Sequence, residues 1–131
     1  MGRGLEKLKI YRLSVRLEVF VHRVVNERFP VEEKYRSSDQ LKRSSSSSSD
    51  NIAESYGKFS FGAKINHLYI ARGEMAETKS GIERAHLKGF ISKELAEFTV
   101  NKYTELIKQT NCYINFLKHK KIVEAVVVKT N

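Results

Sequence analysis

Little in this chain would bend it, cross-link it or anchor it. It has one proline, Pro30, in 131 residues. So few prolines over this length favour long uninterrupted helices over a turn-rich β fold. It has one cysteine, Cys112, and so no intramolecular disulfide. Secreted domains of this size carry cysteine in pairs, which makes a reducing cytoplasm the expected location. The sequence around Cys112 lacks the histidine and cationic setting of a catalytic thiol, so it reads as a small apolar residue on a helix. Met1 to Lys9 is charged, without the apolar core of a signal peptide. No apolar run approaches the ~18 residues of a membrane span, so no membrane partner is expected. Acidic residues are also few, 15 Asp plus Glu against 24 Lys plus Arg, a formal charge of +9. Such an excess favours solubility and draws polyanions such as RNA, DNA or an acidic protein face, without choosing among them.

What remains is helical patterning within one domain. In the first helix, about residues 5–29, Ile10, Leu13, Leu17, Phe20, Val21 and Val24 recur at three- and four-residue spacing on one face. Pro30 ends it. The second helix, about 38–57, has Ser37, Ser38 and Asp39 as competent N-caps, with Gln40 three residues after Ser37 as in a capping box. It contains six consecutive serines, Ser44 to Ser49, which read alone as a flexible linker. Its flanks favour a helix: Leu41, Ser45, Ser48, Ile52 and Tyr56 keep the helical spacing. Serine costs only about half a kcal/mol per residue against alanine in a helix. The third helix, about 61–88, is capped by Ser60 and buries Ile65, Leu68, Ala71, Met75, Thr78, Ile82 and Ala85. Gly73 in its middle predicts close approach of a neighbouring helix. Gly89 is a stop, and Ser92 caps a fourth helix, about 92–119, with the stripe Leu95, Thr99, Leu106, Thr110, Tyr113 and Leu117. Residues 120–131 read as a loosely docked or disordered tail, its β-branched run suiting a strand-like arm or a frayed end. Four helices with short connections predict an all-α, antiparallel up-down-up-down bundle over residues 1–119.

Few residues could carry chemistry. A di-iron bundle needs two Glu-x-x-His motifs, and the chain has one, Glu83 to His86. No Cys-x-x-Cys pair, Gly-rich phosphate loop or nucleophile motif is present. Neither metal nor cofactor is expected. Arg16 and His22 have the loose spacing of HEPN-type ribonucleases, but they fall roughly 120° apart around a helix. The protein therefore reads as a non-enzyme. The cations offer more. Lys9, Arg12, Arg16 and Arg23 fall within an arc of roughly 60° on the first helix and can follow a phosphate backbone. Glu27 shares that arc and weakens it. Lys42, Arg43, Lys58 and Lys64 form a scattered second group, from which Lys42 and Arg43 join the expected nucleic-acid-binding set.

Three stretches resemble a known family. They are Phe29-Pro30-x-x-Glu33-x-Tyr35, then Gln40-Leu41-Lys42-Arg43-Ser44-Ser45 continuing to Asn51-Ile52-Ala53-Glu54-x-Tyr56-Gly57, and Ala71-Arg72-Gly73-Glu74-x-x-Glu77. They look like motifs of the four-helix-bundle family of rRNA intervening-sequence proteins, which includes accessory proteins of diversity-generating retroelements. The likeness runs from about Leu8 to Leu117. Ser55 stands where the family usually has glycine, and the serine run replaces a more alanine-containing stretch. The resemblance implies a homopentameric ring, with RNA or DNA and a reverse transcriptase as partners. It carries over no catalytic residue. Asn51, Glu54, Tyr56, Gly73 and Glu77 are motif positions, read first as structural. The expected function is a non-catalytic, nucleic-acid-binding accessory bundle. A protein-interaction scaffold is the alternative, and a HEPN-like ribonuclease is a third reading.

Overall fold

The structure is a computed structural model and describes residues 3–130. Its helices are α1 (Arg3–Lys7), α2 (Lys9–Arg28), α3 (Ser37–Gly57), α4 (Phe61–Leu87) and α5 (Lys93–Thr130), with a 3₁₀ turn at Val31–Glu33. There is no strand among the described residues.

The first expected helix is two helices. Leu8 adopts an extended conformation, φ −72° and ψ 115°, and breaks it. The Arg12 guanidinium donates to the Glu6 and Lys7 carbonyls at 3.1 and 2.7 Å, satisfying acceptors that the end of α1 would leave unpaired. At the other end of α2, Phe29 turns to ψ 142°. A following proline disfavours the α region for the residue before it, so Pro30 sets this exit.

The serines are helical. α3 buries Ser38, Leu41, Ser44, Ser45, Ser48, Ser49, Ile52 and Ser55. Their hydroxyls are satisfied largely within the helix, as Ser48 Oγ donating to the Ser44 carbonyl at 2.9 Å and Ser55 Oγ to Ile52 at 2.7 Å. Ser44 and Thr78 share a hydroxyl–hydroxyl bond of 2.7 Å across to α4. Two details of this helix differ from expectation. Ser37, Ser38 and Asp39 lie inside α3, and its N-cap residue Arg36 makes no side-chain cap bond. Ser37 Oγ instead donates to the Glu33 carboxylate at 2.7 Å, tying the 3₁₀ turn to α3 in place of a capping box. Tyr56 is exposed and Ser55 takes the inner position. The Tyr56 hydroxyl occupies the space that a Cβ on Gly4 would fill, so this ring covers α1 rather than the core.

Helix order follows from which residues meet. Along α3 from Ser44 to Asn51 the partner on α4 retreats from Thr78 to His67. Arg72 meets Asn111 and Met75 meets Thr110 between α4 and α5. Glu18 meets Ser46 and His22 approaches the Lys42 carbonyl between α2 and α3. Phe20 against Phe98 closes α2 onto α5. Each consecutive pair therefore runs antiparallel, as short connections require.

The α4 face is buried as its spacing predicts, from Ile65 to Ala85. Ser60 Oγ accepts from the Ala63 amide and Ser92 Oγ from the Leu95 amide, both at 3.1 Å. Gly89 takes φ +82°, the left-handed conformation of a helix stop. Gly73 corrects expectation. It is exposed, and nothing lies within 4 Å of a Cβ built there. The close approach occurs at Gly81, where such a Cβ would stand 2.7 Å from Leu41 Cδ2. Gly73→Ala should therefore raise stability by about 0.5–1 kcal/mol through backbone entropy and helix propensity, read by urea denaturation.

Among the largest buried side chains are Tyr103, Ile52, Leu68, Met75, Ile82, Leu106 and Ile114. The Tyr103 hydroxyl is buried with no hydrogen-bond partner among the described residues. Burial first, and the Glu18 charge second, push this phenol far above its ordinary range. Tyr103→Phe should leave the protein as stable or about 1 kcal/mol more stable, because it removes an unpaired buried hydroxyl without changing the ring.

Residues 120–130 are a continuation of α5, not a docked strand or a frayed end. Residues 120–129 are all exposed.

Candidate nucleic-acid interface

Lys9, Arg16 and Arg23 are exposed on α2 at seven-residue intervals, so they stand about 10.5 Å apart along one side of the helix. None of them has an ion pair or side-chain hydrogen bond among the described residues. Arg12 shares their side but is engaged in capping α1. Arg43 is exposed and paired with Asp39 at 3.2 Å, while Lys42 is half-buried. Lys58 lies 3.9 Å from Glu54, one turn earlier. Lys64 donates to the Tyr56 carbonyl at 3.0 Å, tying the start of α4 to the end of α3. The structure thus leaves Lys9, Arg16 and Arg23 exposed and unpaired and half-buried Lys42 unpaired among the described residues, and commits Arg12, Arg43, Lys58 and Lys64 to local contacts.

The α2 row borders α5. A groove of about 400 Å³ between the two is lined by Leu8, Lys9, Ile10, Lys108, Cys112 and Tyr113, among others. Cys112 is exposed there. Higher along the same seam Phe20 and Phe98 pack with ring centroids 5.6 Å apart. Sequence reasoning missed this aromatic flank, although Phe98 and Phe116 are separated by a whole number of helical turns.

The other side of α2 faces α3. His22 Nε2 lies 3.3 Å from both the Lys42 carbonyl and Ser46 Oγ. Arg16, exposed on the α5 side, makes no hydrogen bond with it. The spacing of Arg16 and His22 therefore does not become a shared site. His86 Nδ1 lies 3.3 Å from the Ile91 carbonyl. Among the described residues no group of three or more His, Cys, Asp or Glu could hold a metal ion, and no helix is long and apolar enough to cross a membrane.

The motif residues serve different local ends. Asn51 donates to the Ser47 carbonyl at 2.9 Å, and its Oδ1 lies 3.3 Å from His67 Nδ1, bridging α3 to α4. Glu54 is exposed beside Lys58, and Gly73 faces solvent. Glu77 is exposed and borders a small cleft with Ser37, Gln40, Leu41, Ser44 and Arg84. Glu74 holds its proton more tightly than an ordinary carboxylate, first through partial burial and then through the neighbouring Glu77 charge. Arg72 spans from α4 to Asn111 on α5 at 2.7 Å, with its guanidinium carbon 4.8 Å from the centre of the Tyr69 ring.

Comparison with known proteins places this arrangement. No protein of curated function matches the chain. Among solved structures, it is similar to a protein of unknown function from the S23 ribosomal protein family of Bacteroides thetaiotaomicron. The two are 27% identical, with a TM-score of 0.75 over 80% of this chain and 97% of that one. The family model described as 23S rRNA-intervening sequence protein matches residues 6–112, which include α2, α3, α4 and the first half of α5. On that match and that shared helical bundle, the chain belongs to the 23S rRNA-intervening sequence protein family.

Proposed function

We propose that this protein binds nucleic acid without catalysing a reaction, as a basic oligomeric accessory factor of the cytoplasm. The observation that carries the reading is the row Lys9, Arg16 and Arg23, exposed and free of ion pairs along one side of α2. Cations held at fixed intervals on a rigid helix neutralise successive phosphates and release counterions, and that release favours binding. The net charge of +9 adds a long-range attraction of the same sign. The family resemblance supports a homopentameric ring and a reverse transcriptase as a protein partner, and light scattering of the purified chain reads the first directly.

The test is a salt series. Binding to structured RNA and to duplex DNA is measured by fluorescence anisotropy from about 50 to 300 mM salt, across which log affinity should fall linearly with log salt. Absence of binding at low salt, or binding indifferent to salt, would sink the proposal.

A second reading has one observation in its favour. The extension of α5 carries Ile122, Val123 and Val126 exposed at 63%, 46% and 54%. Such a face suits a scaffold that recruits a protein. Pull-downs with and without nuclease separate the two readings, because scaffold partners survive nuclease treatment.

A further inference from the structure

We infer that the face between α2 and α5 is a stacking platform for unpaired nucleotides; this rests on the nucleic-acid reading above and names the form of nucleic acid. Phe98 and Phe116 of α5 are each half exposed, at 50% and 51%. Eighteen residues separate them, five whole helical turns, so they stand on the same flank of α5 about 27 Å apart. That flank faces α2, since Phe98 packs on Phe20. Phe116 stacks on Tyr113 at 6.0 Å with 23° between the planes, and Tyr113 lines the α2–α5 groove together with Lys9. Over each ring stands a lysine ammonium of its own helix, which an incoming base displaces toward the phosphates. Lys102 Nζ lies 5.8 Å from the Phe98 ring centre and Lys120 Nζ 5.2 Å from that of Phe116.

Beside these rings runs the row Arg23, Arg16 and Lys9. Because α2 is antiparallel to α5, Arg23 lies toward the Phe98 end and Lys9 toward the Phe116 end. One surface thus offers charges for phosphates and flat apolar faces for bases. A duplex hides its base faces in its own stack, whereas a single strand presents them to aromatic side chains regardless of sequence. Three acidic groups border this surface: Glu105 lines the groove and lies 3.9 Å from Lys102, Glu94 is exposed one turn before Phe98, and Glu27 lies past Arg23 near the end of α2. A row of cations without ion pairs, set beside exposed rings, complements a polyanion whose bases are unstacked, which is why single-stranded nucleic acid is the occupant.

The experiment compares the full chain with Phe98→Leu/Phe116→Leu, using labelled 15-nucleotide oligouridylate, 15-nucleotide oligothymidylate and a 15-base-pair DNA duplex at low salt. Leucine keeps apolar bulk but removes the flat face. Single-strand affinity should fall by about tenfold or more, with the duplex within about twofold and the salt slope unchanged, because the cations remain. The two single strands separate RNA from DNA as the source. Undiminished single-strand binding by the double variant overturns the platform while leaving the proposed function standing. Failure of the unaltered chain to bind any of the three overturns the proposed function itself. A change of particle mass in the variant by light scattering, with nucleic-acid binding intact, would make this a contact between protein copies and overturn the platform. Should the double variant fail to fold by circular dichroism, Phe116→Leu alone decides. It lies outside the core, and its expected single-strand loss is about fivefold.

Discussion

Ser48→Leu is expected to destabilise the bundle by about 3 kcal/mol, while Ser48→Ala should change stability by less than about 0.5 kcal/mol. Ser48 is 1% exposed, and Ser45 one turn before it is fully covered. Small side chains let α3 lie close to its neighbours, and the interior has no slack for the extra carbons of leucine. Overpacking forces side chains off their rotamers and shifts backbone, which costs about 1–3 kcal/mol and occasionally more. Alanine keeps the volume. It loses one hydrogen bond from Ser48 Oγ to the Ser44 carbonyl of the same helix and recovers about half a kcal/mol of helix propensity. Urea denaturation of the two variants checks this. Equal stabilities would mean that the serine seam is loosely packed and that its small residues have no steric role.

The second large effect concerns binding. The triple variant Lys9→Ala/Arg16→Ala/Arg23→Ala should lose about 10²-fold in single-strand affinity near 0.1 M salt, and its log–log salt slope should be shallower by about 2.1. Both figures follow from three phosphate contacts per chain, each releasing about 0.7 counterion from a single strand. Arg43→Ala is the control. It also removes one positive charge, but one already held by Asp39 at 3.2 Å, so its effect should be much smaller. If Arg43→Ala matched a third of the triple variant's effect on a logarithmic scale, net charge alone would be responsible and the α2 row would have no special standing. All three replaced residues are exposed, so alanine, the strongest helix former, should leave the fold intact.

Much of this was legible in the sequence. The face of α4 could be read completely because Ile65, Leu68, Ala71, Met75, Thr78, Ile82 and Ala85 repeat without interruption and small polar Thr78 fits inside. The stripe of α5 was read with gaps. Tyr103 and Ile114, both buried, were missed beside Thr99 and Tyr113, since a tyrosine at a boundary position reads equally well as half-exposed. The α5 extension reads as a loosely docked or disordered tail, a strand-like arm or a frayed end, because valine and isoleucine favour β structure locally. A helix already running needs no new nucleus, however, and each β-branched residue then costs only tenths of a kcal/mol. For the interface, the spacing of Lys9, Arg12, Arg16 and Arg23 gave their shared side but not their availability. Nothing in Glu6-Lys7-Leu8 signals a break in the helix, and only that break gives Arg12 two carbonyls to cap. The pairing of Arg43 with Asp39 was readable as an i, i+4 contact. Gly73 and Gly81 look alike in sequence. Which one sits under a neighbour depends on how α4 is rotated against α3, and one-dimensional spacing does not carry that.

The hydroxyl-lined seam of α3 has a thermal consequence. Heat capacity rises on unfolding in proportion to newly exposed apolar surface and falls with exposed polar surface. Burying Ser44, Ser45, Ser48, Ser49 and Ser55 where a bundle would ordinarily bury aliphatic side chains shifts that balance toward the polar side. Stability should therefore curve weakly with temperature, so that cooling from the growth range weakens this bundle less than one with an aliphatic seam.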